Sequence, residues 1–260
     1  MLRSQPWAKR LVRRAVQMGD EPTMFELRFG FELHLAGLSP RYESPGLDSS
    51  TVDFGLYGTP AWNIELVSPQ VSDAISDATV LETLPSGLRT ETLVLGFGHG
   101  NPKQTIAHDL FRLQRSILNK VHDGKKPTKF PVPCEATANV IVVDVRSFLG
   151  GDGDIDRDDL RQIMFGPQRV PVECVHTRSQ TGEPIRGLFE TSNMSAAFRT
   201  VRERIHLVIA VHEQDFVDDE IRQTLVTFSN PHLPDRSATL PFRWTTTAPL
   251  RDQNPLWNQG

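Results

Sequence analysis

The sequence predicts an α/β protein in which a mixed central β-sheet is flanked by helices. Two observations favour this class. Helix and strand patterns alternate along the chain: apolar residues recur every three or four positions over residues 104–121, and residues 139–145 (NVIVVDV) read as a buried strand. In addition, no change of composition marks a linker, so we expect residues 1–260 to form a single domain.

The N-terminal third is predicted to hold two helices and a hairpin. Residues 7–17 place apolar side chains on one stripe and basic side chains opposite, which is typical of an amphipathic helix. Residues 24–38 (MFELRFGFELHLAGL) alternate like a strand but also fill helical stripes, and the pattern alone favours the strand. Residues 51–57 and 62–67 flank the turn Gly58-Thr59-Pro60 and are predicted to pair as a β-hairpin.

The rest of the chain alternates between loops, strands and shorter helices. Residues 68–89 are rich in Ser, Asp and Pro and are interpreted as a loop or insertion. The further predicted elements are strands at 91–97, 139–145, 206–212 and 223–228 and helices at 104–121, 158–164 and 195–205, before a proline-rich tail.

Composition narrows the class of protein without naming a function. Lys and Arg number 28 against 32 Asp and Glu, which excludes a wholly basic surface but leaves room for a local basic groove. Two cysteines are too few for a disulfide scaffold or a four-thiolate zinc site. The longest apolar run is too short for a membrane span, and the basic N-terminus lacks the apolar core of a signal peptide. We therefore expect a cytoplasmic protein with no membrane partner, in an oligomeric state that the sequence leaves open.

The predicted hairpin has a register that places two carboxylates side by side. A three-residue turn at 58–60 pairs Gly55 with Asn63 and Asp53 with Glu65. Cβ atoms of such a pair lie roughly 5 Å apart, so the like charges repel unless a cation lies between them. Mg²⁺ held by Asp53 and Glu65 is the candidate, and a solvated outer face is the alternative. The opposite face is wholly apolar and fixes this register, with Val52, Phe54, Leu56, Trp62, Ile64 and Leu66.

The segment FGFELHLAGLSPRYESPGLDSSTVDFGLYGTPAWNIELVSP, with the elements after it, resembles the start of the PD-(D/E)XK, or restriction-endonuclease-like, nuclease superfamily. The resemblance implies an αβββαβ core over residues 22–146, with residues 147–260 extending the same sheet, and it favours a helix over residues 24–38. It also implies an acidic site formed by Glu32 on this helix, Asp53 and Glu65, with Asp53 and Glu65 binding Mg²⁺.

One residue of the superfamily's motif is missing. The triplet reads Glu65-Leu66-Val67, so a valine stands where the resemblance calls for a lysine. The resemblance implies that a lysine near the following helix, Lys120 or Lys103, takes its place, with Gln114 as a polar helper. For Lys120 the alternative is a lysine that only complements the C-terminal end of the helix dipole.

Three functions follow as hypotheses. The first is a Mg²⁺-dependent nuclease acting on DNA or RNA, or an inactive descendant of one. The second is a non-catalytic nucleic-acid- or protein-binding module on the same fold, which the missing lysine favours. The third is a nucleotide-binding enzyme that uses the glycine-rich loop from Gly96 to Lys103, although this loop does not match the phosphate-loop spacing.

Other patterns have structural interpretations. The acidic residues 152–160 resemble half of a calcium loop and are interpreted as caps of the helix that follows. His206 and His212 share one face of a strand and are interpreted as structural, and Cys174 and His176 lack an oxyanion motif. Basic residues gather in clusters that either track a phosphate backbone or form solvated helix faces: Lys9, Arg10, Arg13 and Arg14; Lys120, Lys125, Lys126 and Lys129; Arg199, Arg202 and Arg204.

Overall fold

A computed structural model of the chain describes residues 6–18, 21–69, 79–83, 85, 89–93, 106–122, 128–145, 157–169, 185–190, 195–217 and 220–242. Short 3-10 turns at Pro167–Arg169 and Ser237–Thr239 accompany the regular elements. In chain order, these elements are α1 (Pro6–Met18), α2 (Glu21–Leu35), β1 (Arg41–Pro45), β2 (Thr51–Leu56), β3 (Ala61–Val67), β4 (Thr79–Thr83), β5 (Arg89–Leu93), α3 (Ile106–Val121), β6 (Thr137–Asp144), α4 (Arg157–Phe165), α5 (Ala196–Arg204), β7 (Leu207–Val217) and β8 (Glu220–Ser229).

Six strands form one mixed sheet in the order β1-β2-β3-β6-β7-β8. The strands β1, β2 and β3 are antiparallel, whereas β3, β6 and β7 are parallel and β8 is antiparallel to β7. The α3 helix lies in the connection between the parallel strands β3 and β6, as a parallel pair requires. The predicted α/β class with a mixed sheet flanked by helices is therefore confirmed.

Helices cover both faces of this sheet. The α1 and α2 helices pack on one face, where their apolar residues join those of β2, β3, β6 and β7 in one buried cluster. The α3, α4 and α5 helices pack on the other face in a second cluster. The central strand β6 divides its side chains between the clusters, Val140 and Val142 facing α1 and α2 while Ile141 and Val143 face α3. This two-sided burial explains the continuous apolar run in its sequence.

The ambiguous segment at 24–38 forms the α2 helix, which covers Glu21–Leu35. The preference of the bare pattern for a strand was wrong, and the helix implied by the resemblance is observed. Phe25, Phe29 and Leu33, at steps of four, are at most 1% exposed and contact the sheet cluster. Residues four positions apart lie on one face of a helix, so packing of this face against the sheet accounts for a helix in place of the strand that the alternation favours.

The interpretation of residues 68–89 as a loop or insertion holds only in part. Residues 79–83 form β4, which pairs with β5 in a separate two-stranded sheet. The strand predicted at 91–97 begins earlier, since β5 covers Arg89–Leu93, and residues 94–97 lie outside the described residues.

The predicted hairpin register is observed, with Gly55 opposite Asn63 and Phe54 opposite Ile64. Val52 departs from the predicted face: it packs with the α3-side cluster, whereas Phe54 packs with the α1–α2 cluster. The β2–β3 pairing is recorded as far as Phe54, and Glu43 on the neighbouring strand has a positive φ of 49°. The β1–β2 register is unshifted here, with Tyr42 opposite Phe54 and Ser44 opposite Val52, so the change of face does not come from a shift in this strand pairing.

None of the helices among the described residues is long and apolar enough to cross a membrane.

Candidate active site

Two carboxylates meet where the β2–β3 ladder ends. Continuing the observed register by one residue places Asp53 opposite Glu65. The Oδ2 atom of Asp53 accepts a hydrogen bond from the backbone N–H of Leu66 at 2.7 Å, and the Asp53 N–H donates to Glu65 Oε2 at 3.3 Å. These side chains therefore take the place of ladder hydrogen bonds, which fixes both carboxylates against the backbone.

Two lysines from distant parts of the chain reach the same carboxylates. Lys120, in the last turn of α3, has its Nζ atom 3.2 Å from Glu65 Oε1 and 3.8 Å from Asp53 Oδ2. Lys129, which precedes β6, has its Nζ atom 2.5 Å from the same Glu65 oxygen. We call Asp53, Glu65, Lys120 and Lys129 the acid–lysine centre. Asp53, Glu65 and Lys120 were predicted to share one site, whereas Lys129 was predicted only as a member of a basic cluster.

Burial sets the ionisation of this centre. The Glu65 side chain is 1% exposed, and burial, with the charge of Asp53 adding to it, raises the pKa of Glu65 to about 7 in spite of both lysines. The Lys120 side chain is 39% exposed, so the attraction of Asp53 and Glu65 outweighs burial and raises the pKa of Lys120. Lys120 is therefore a fixed positive charge, whereas Glu65 can hold or release a proton near neutral pH.

A third carboxylate approaches from α2. Glu26 is 8% exposed and accepts a hydrogen bond from the Tyr42 hydroxyl at 2.6 Å, and Arg14 of α1 lies 3.5 Å from it. Burial raises the pKa of Glu26, and the charge of Asp53 raises it further. The charge of Glu26 in turn raises the pKa of Lys120, so Glu26 belongs to the electrostatic surroundings of the centre.

The glutamate of α2 that lies in the surroundings of this centre is Glu26, whereas the resemblance implies Glu32. Glu32 lies six residues, about 9 Å of helix rise, beyond Glu26 and is half-buried. Glu26 follows Phe25 and precedes Phe29 by three positions, so it lies beside the buried stripe of α2. Glu32 precedes Leu33 and follows Phe29 by three positions, so it flanks the stripe in the same way, and the hydrogen bond from Tyr42 is what distinguishes Glu26. The role implied for Glu32 stays a prediction.

Other residues from the sequence analysis have structural roles. The Gln114 side chain, predicted as a polar helper, donates to the carbonyl of Arg186, so it anchors another segment. Arg202 donates to the carbonyls of Phe189 and Glu190, which removes it from a phosphate-tracking groove. His206 is 2% exposed and accepts a hydrogen bond from the backbone of Asn139, in agreement with the structural interpretation.

Several candidate features lie outside the described residues. These are the glycine-rich loop with Lys103, the acidic residues 152–156, the pair Cys174 and His176, and Lys125 and Lys126.

No family model, curated protein or solved structure matches this chain. The site therefore has to be judged on its own chemistry. Within the described residues, no three His, Cys, Asp or Glu side chains form a metal-binding group. A metal here would rest on Asp53 and Glu65 alone, which suits Mg²⁺ because this ion takes one or two carboxylates and retains several waters.

The position between the carboxylates accommodates a cation. The Lys120 ammonium already contacts both Asp53 and Glu65 there, so a single positive centre reaches an oxygen of each. The donors are hard oxygens, which Mg²⁺ prefers. The residues present thus fit a divalent cation, provided that Lys120 moves aside.

Proposed function

We propose that this protein is a Mg²⁺-dependent phosphodiester hydrolase that acts on DNA or RNA. The observation that carries the proposal is the convergence of Asp53, Glu65 and Lys120, with Lys120 within 4 Å of both carboxylates. The cytoplasmic location expected from the sequence is part of the same proposal.

The element order supports a restriction-endonuclease-like core. The elements α2, β1, β2, β3, α3 and β6 follow the αβββαβ order that the resemblance implies, with the β4–β5 pair of the separate sheet inserted between β3 and α3. Its four strands are neighbours in the sheet in chain order, β1-β2-β3-β6. The two carboxylates lie on the second and third of these strands, and Lys120 lies on the helix after them, where the resemblance implies that they should be.

The proposed roles follow from burial and charge. Asp53 and Glu65 would hold Mg²⁺, which when bound neutralises charge on the phosphate and activates water. Asp53 is the more accessible ligand, with its side chain 20% exposed against 1% for Glu65. Lys120, which is 39% exposed, would be free to face a phosphate once the metal replaces it between the carboxylates. Glu26, hydrogen-bonded to Tyr42, would keep negative charge behind Lys120.

A cleavage assay tests the proposal. The protein is incubated with single- and double-stranded DNA and with RNA, with Mg²⁺ or with a chelator. We expect Mg²⁺-dependent cleavage that Asp53→Asn and Glu65→Gln each lower by about 10²-fold or more. Glu203→Gln, on the exposed side of α5, removes the same charge and serves as the control. If Asp53→Asn cleaves as fast as Glu203→Gln, the proposal is wrong.

The second candidate is a non-catalytic binding module on the same fold. One observation favours it: two ammonium groups already contact Glu65 Oε1, so the centre is charge-compensated without a metal. On this hypothesis Mg²⁺ does not raise the melting temperature, and binding of nucleic acid or protein is unchanged in Asp53→Asn. Mg²⁺-dependent stabilisation that is lost in Asp53→Asn excludes it.

A further inference from the structure

The segment that carries Lys129 has neither helix nor strand but is held by its backbone. Residues 128–131 precede β6, and their Phe130 side chain is fully buried in the α3-side cluster. Three donors from three other parts of the chain fix consecutive carbonyls: the Leu47 N–H to Lys129 at 2.8 Å, the Arg204 guanidinium to Phe130 at 2.6 Å and the Asn139 amide to Pro131 at 2.9 Å. A loop held in this way presents its side chains in one orientation.

The Lys129 side chain projects from this segment onto the site. Its ammonium is 2.5 Å from Glu65 Oε1, although the two residues are 64 positions apart, and the side chain is 24% exposed. The motif position itself holds Val67, which carries no charge, is 2% exposed and packs in the α3-side cluster. A cation at the site therefore has to come from another element.

The two lysines have different geometries. Lys120 contacts both Asp53 and Glu65 and so occupies the position that a metal would take. Lys129 contacts Glu65, and its backbone carbonyl accepts a hydrogen bond from Leu47 of the β1–β2 turn. With a metal between the carboxylates, the Lys120 ammonium would have to leave that position, whereas the Lys129 ammonium would stay beside Glu65.

We propose that Lys129 is a second catalytic cation, which together with Lys120 stands in for the missing motif lysine, and that the β1–β2 turn positions Lys129. The proposal rests on the proposed function. Lys129 stabilises the negative charge that develops on the phosphate oxygens during water attack, while its contact with Glu65 holds it in place. The bond that forms is between the water oxygen and phosphorus, and the bond that breaks is between phosphorus and the leaving oxygen. One proton of the attacking water passes to solvent, and the leaving oxygen takes up a proton from solvent.

Gly46 in the turn is the second part of this arrangement. A Cβ atom at Gly46 would lie 2.7 Å from the Lys129 carbonyl oxygen and 2.7 Å from Ser50 Oγ, closer than real contacts. The Leu47 N–H of the same turn donates to the Lys129 carbonyl at 2.8 Å, so the turn cannot move away without breaking this bond. Gly46→Ala therefore pushes on the backbone of Lys129 without touching the carboxylates.

The test compares Lys129→Met, Lys129→Arg and the exposed control Lys9→Met in the Mg²⁺-dependent cleavage assay. We expect Lys129→Met to lower kcat by about 10²-fold, with KM and the Mg²⁺ concentration for half-maximal thermal stabilisation changed by less than about threefold. Lys129→Arg should recover at least about tenfold of that loss, because it restores the charge. Lys9→Met should be unchanged.

The Gly46→Ala substitution separates positioning from a general loss of structure. It should lower kcat in the wild-type background and change kcat by less than about twofold in the Lys129→Met background, because both changes act through one ammonium. Additive losses would overturn the positioning role. If Lys129→Met keeps kcat within about threefold of wild type while Asp53→Asn loses it, the Lys129 proposal alone is wrong. If wild type cleaves no substrate, both proposals fail.

Discussion

Replacing Glu65 with glutamine should change how the stability of the protein depends on pH. Glu65 is 1% exposed, and burial, with the Asp53 charge second, raises its pKa from 4.5 to about 7. Between these values the folded state holds a proton that the unfolded state has released, so the free energy of unfolding falls as the pH rises. Below pH 4.5 Glu65 is protonated in both states and contributes no such loss.

The size of the effect follows from the width of this window. From pH 4.5 to about 7 is about 2.5 pH units, and each unit corresponds to about 1.4 kcal/mol, so ionising Glu65 costs about 3 kcal/mol of stability. Burial also raises the pKa of Asp109 to about 6 and lowers the pKa of His206 to about 4, so both groups contribute to the pH dependence of stability. The difference between variant and wild type at each pH removes their contributions.

The assay is urea unfolding in a metal-free buffer at several pH values between 4.5 and about 7.5. The stability of Glu65→Gln relative to wild type should rise by about 3 kcal/mol across this range, because glutamine cannot ionise. The exposed Glu203→Gln substitution should show no such trend. A difference that stays within about 0.5 kcal/mol, or that falls with pH, would refute the argument that burial outweighs the two lysines.

Three other substitutions or titrations probe the same structure. Burial, with the Arg236 charge second, lowers the pKa of His206 from 6.5 to about 4. The free energy of unfolding should therefore fall as the pH drops from about 6.5 to about 4, because the unfolded state takes up a proton that the folded state does not. An NMR titration of the ring should show no protonation above about pH 5. A Cβ atom at Gly55 would lie 2.3 Å from Ser44 Oγ, so Gly55→Ala should cost about 1–3 kcal/mol in urea unfolding, and a Ser44→Gly change should cost less in that background than in wild type. Lys120→Met should tighten Mg²⁺ binding at least about tenfold by calorimetry at a pH above the pKa of Glu65, because it removes the ammonium between the carboxylates; unchanged binding would place the metal elsewhere.

The carboxylate pair could be predicted because its geometry follows from local rules. A strand has a period of two, and the apolar side chains opposite the acids fix a single register, so Asp53 and Glu65 had to meet. Lys120 was predicted from the resemblance, which implies a basic residue near the following helix, and the unbroken apolar period of α3 identified that helix. The face of Val52 was missed because Val52 departs from the period of two that made the rest of the hairpin predictable.

Predicting Glu26 would have required knowing which face of α2 is buried. The FELRFGFELHL pattern suits both periods, and only packing against the sheet shows that Phe25 and Phe29 point inward. That phase, together with the hydroxyl of Tyr42 from β1, brings Glu26 beside the centre. Lys129 was beyond reach for a different reason: its segment contains prolines and no periodicity, and donors from distant elements fix its position, so no local pattern encodes it.

The charges of the centre explain why one arrangement supports both candidate functions. When Glu65 is ionised, Asp53 and Glu65 carry two negative charges and Lys120 and Lys129 carry two positive ones, so the centre is then compensated. The same balance means that a divalent cation between the carboxylates leaves the site positive, which is the charge that a phosphodiester requires. The two candidate functions therefore differ in one respect: in the hydrolase a metal replaces the Lys120 ammonium between the carboxylates, and in the binding module it does not. Lys129 matters because it is the positive side chain that this exchange leaves beside Glu65.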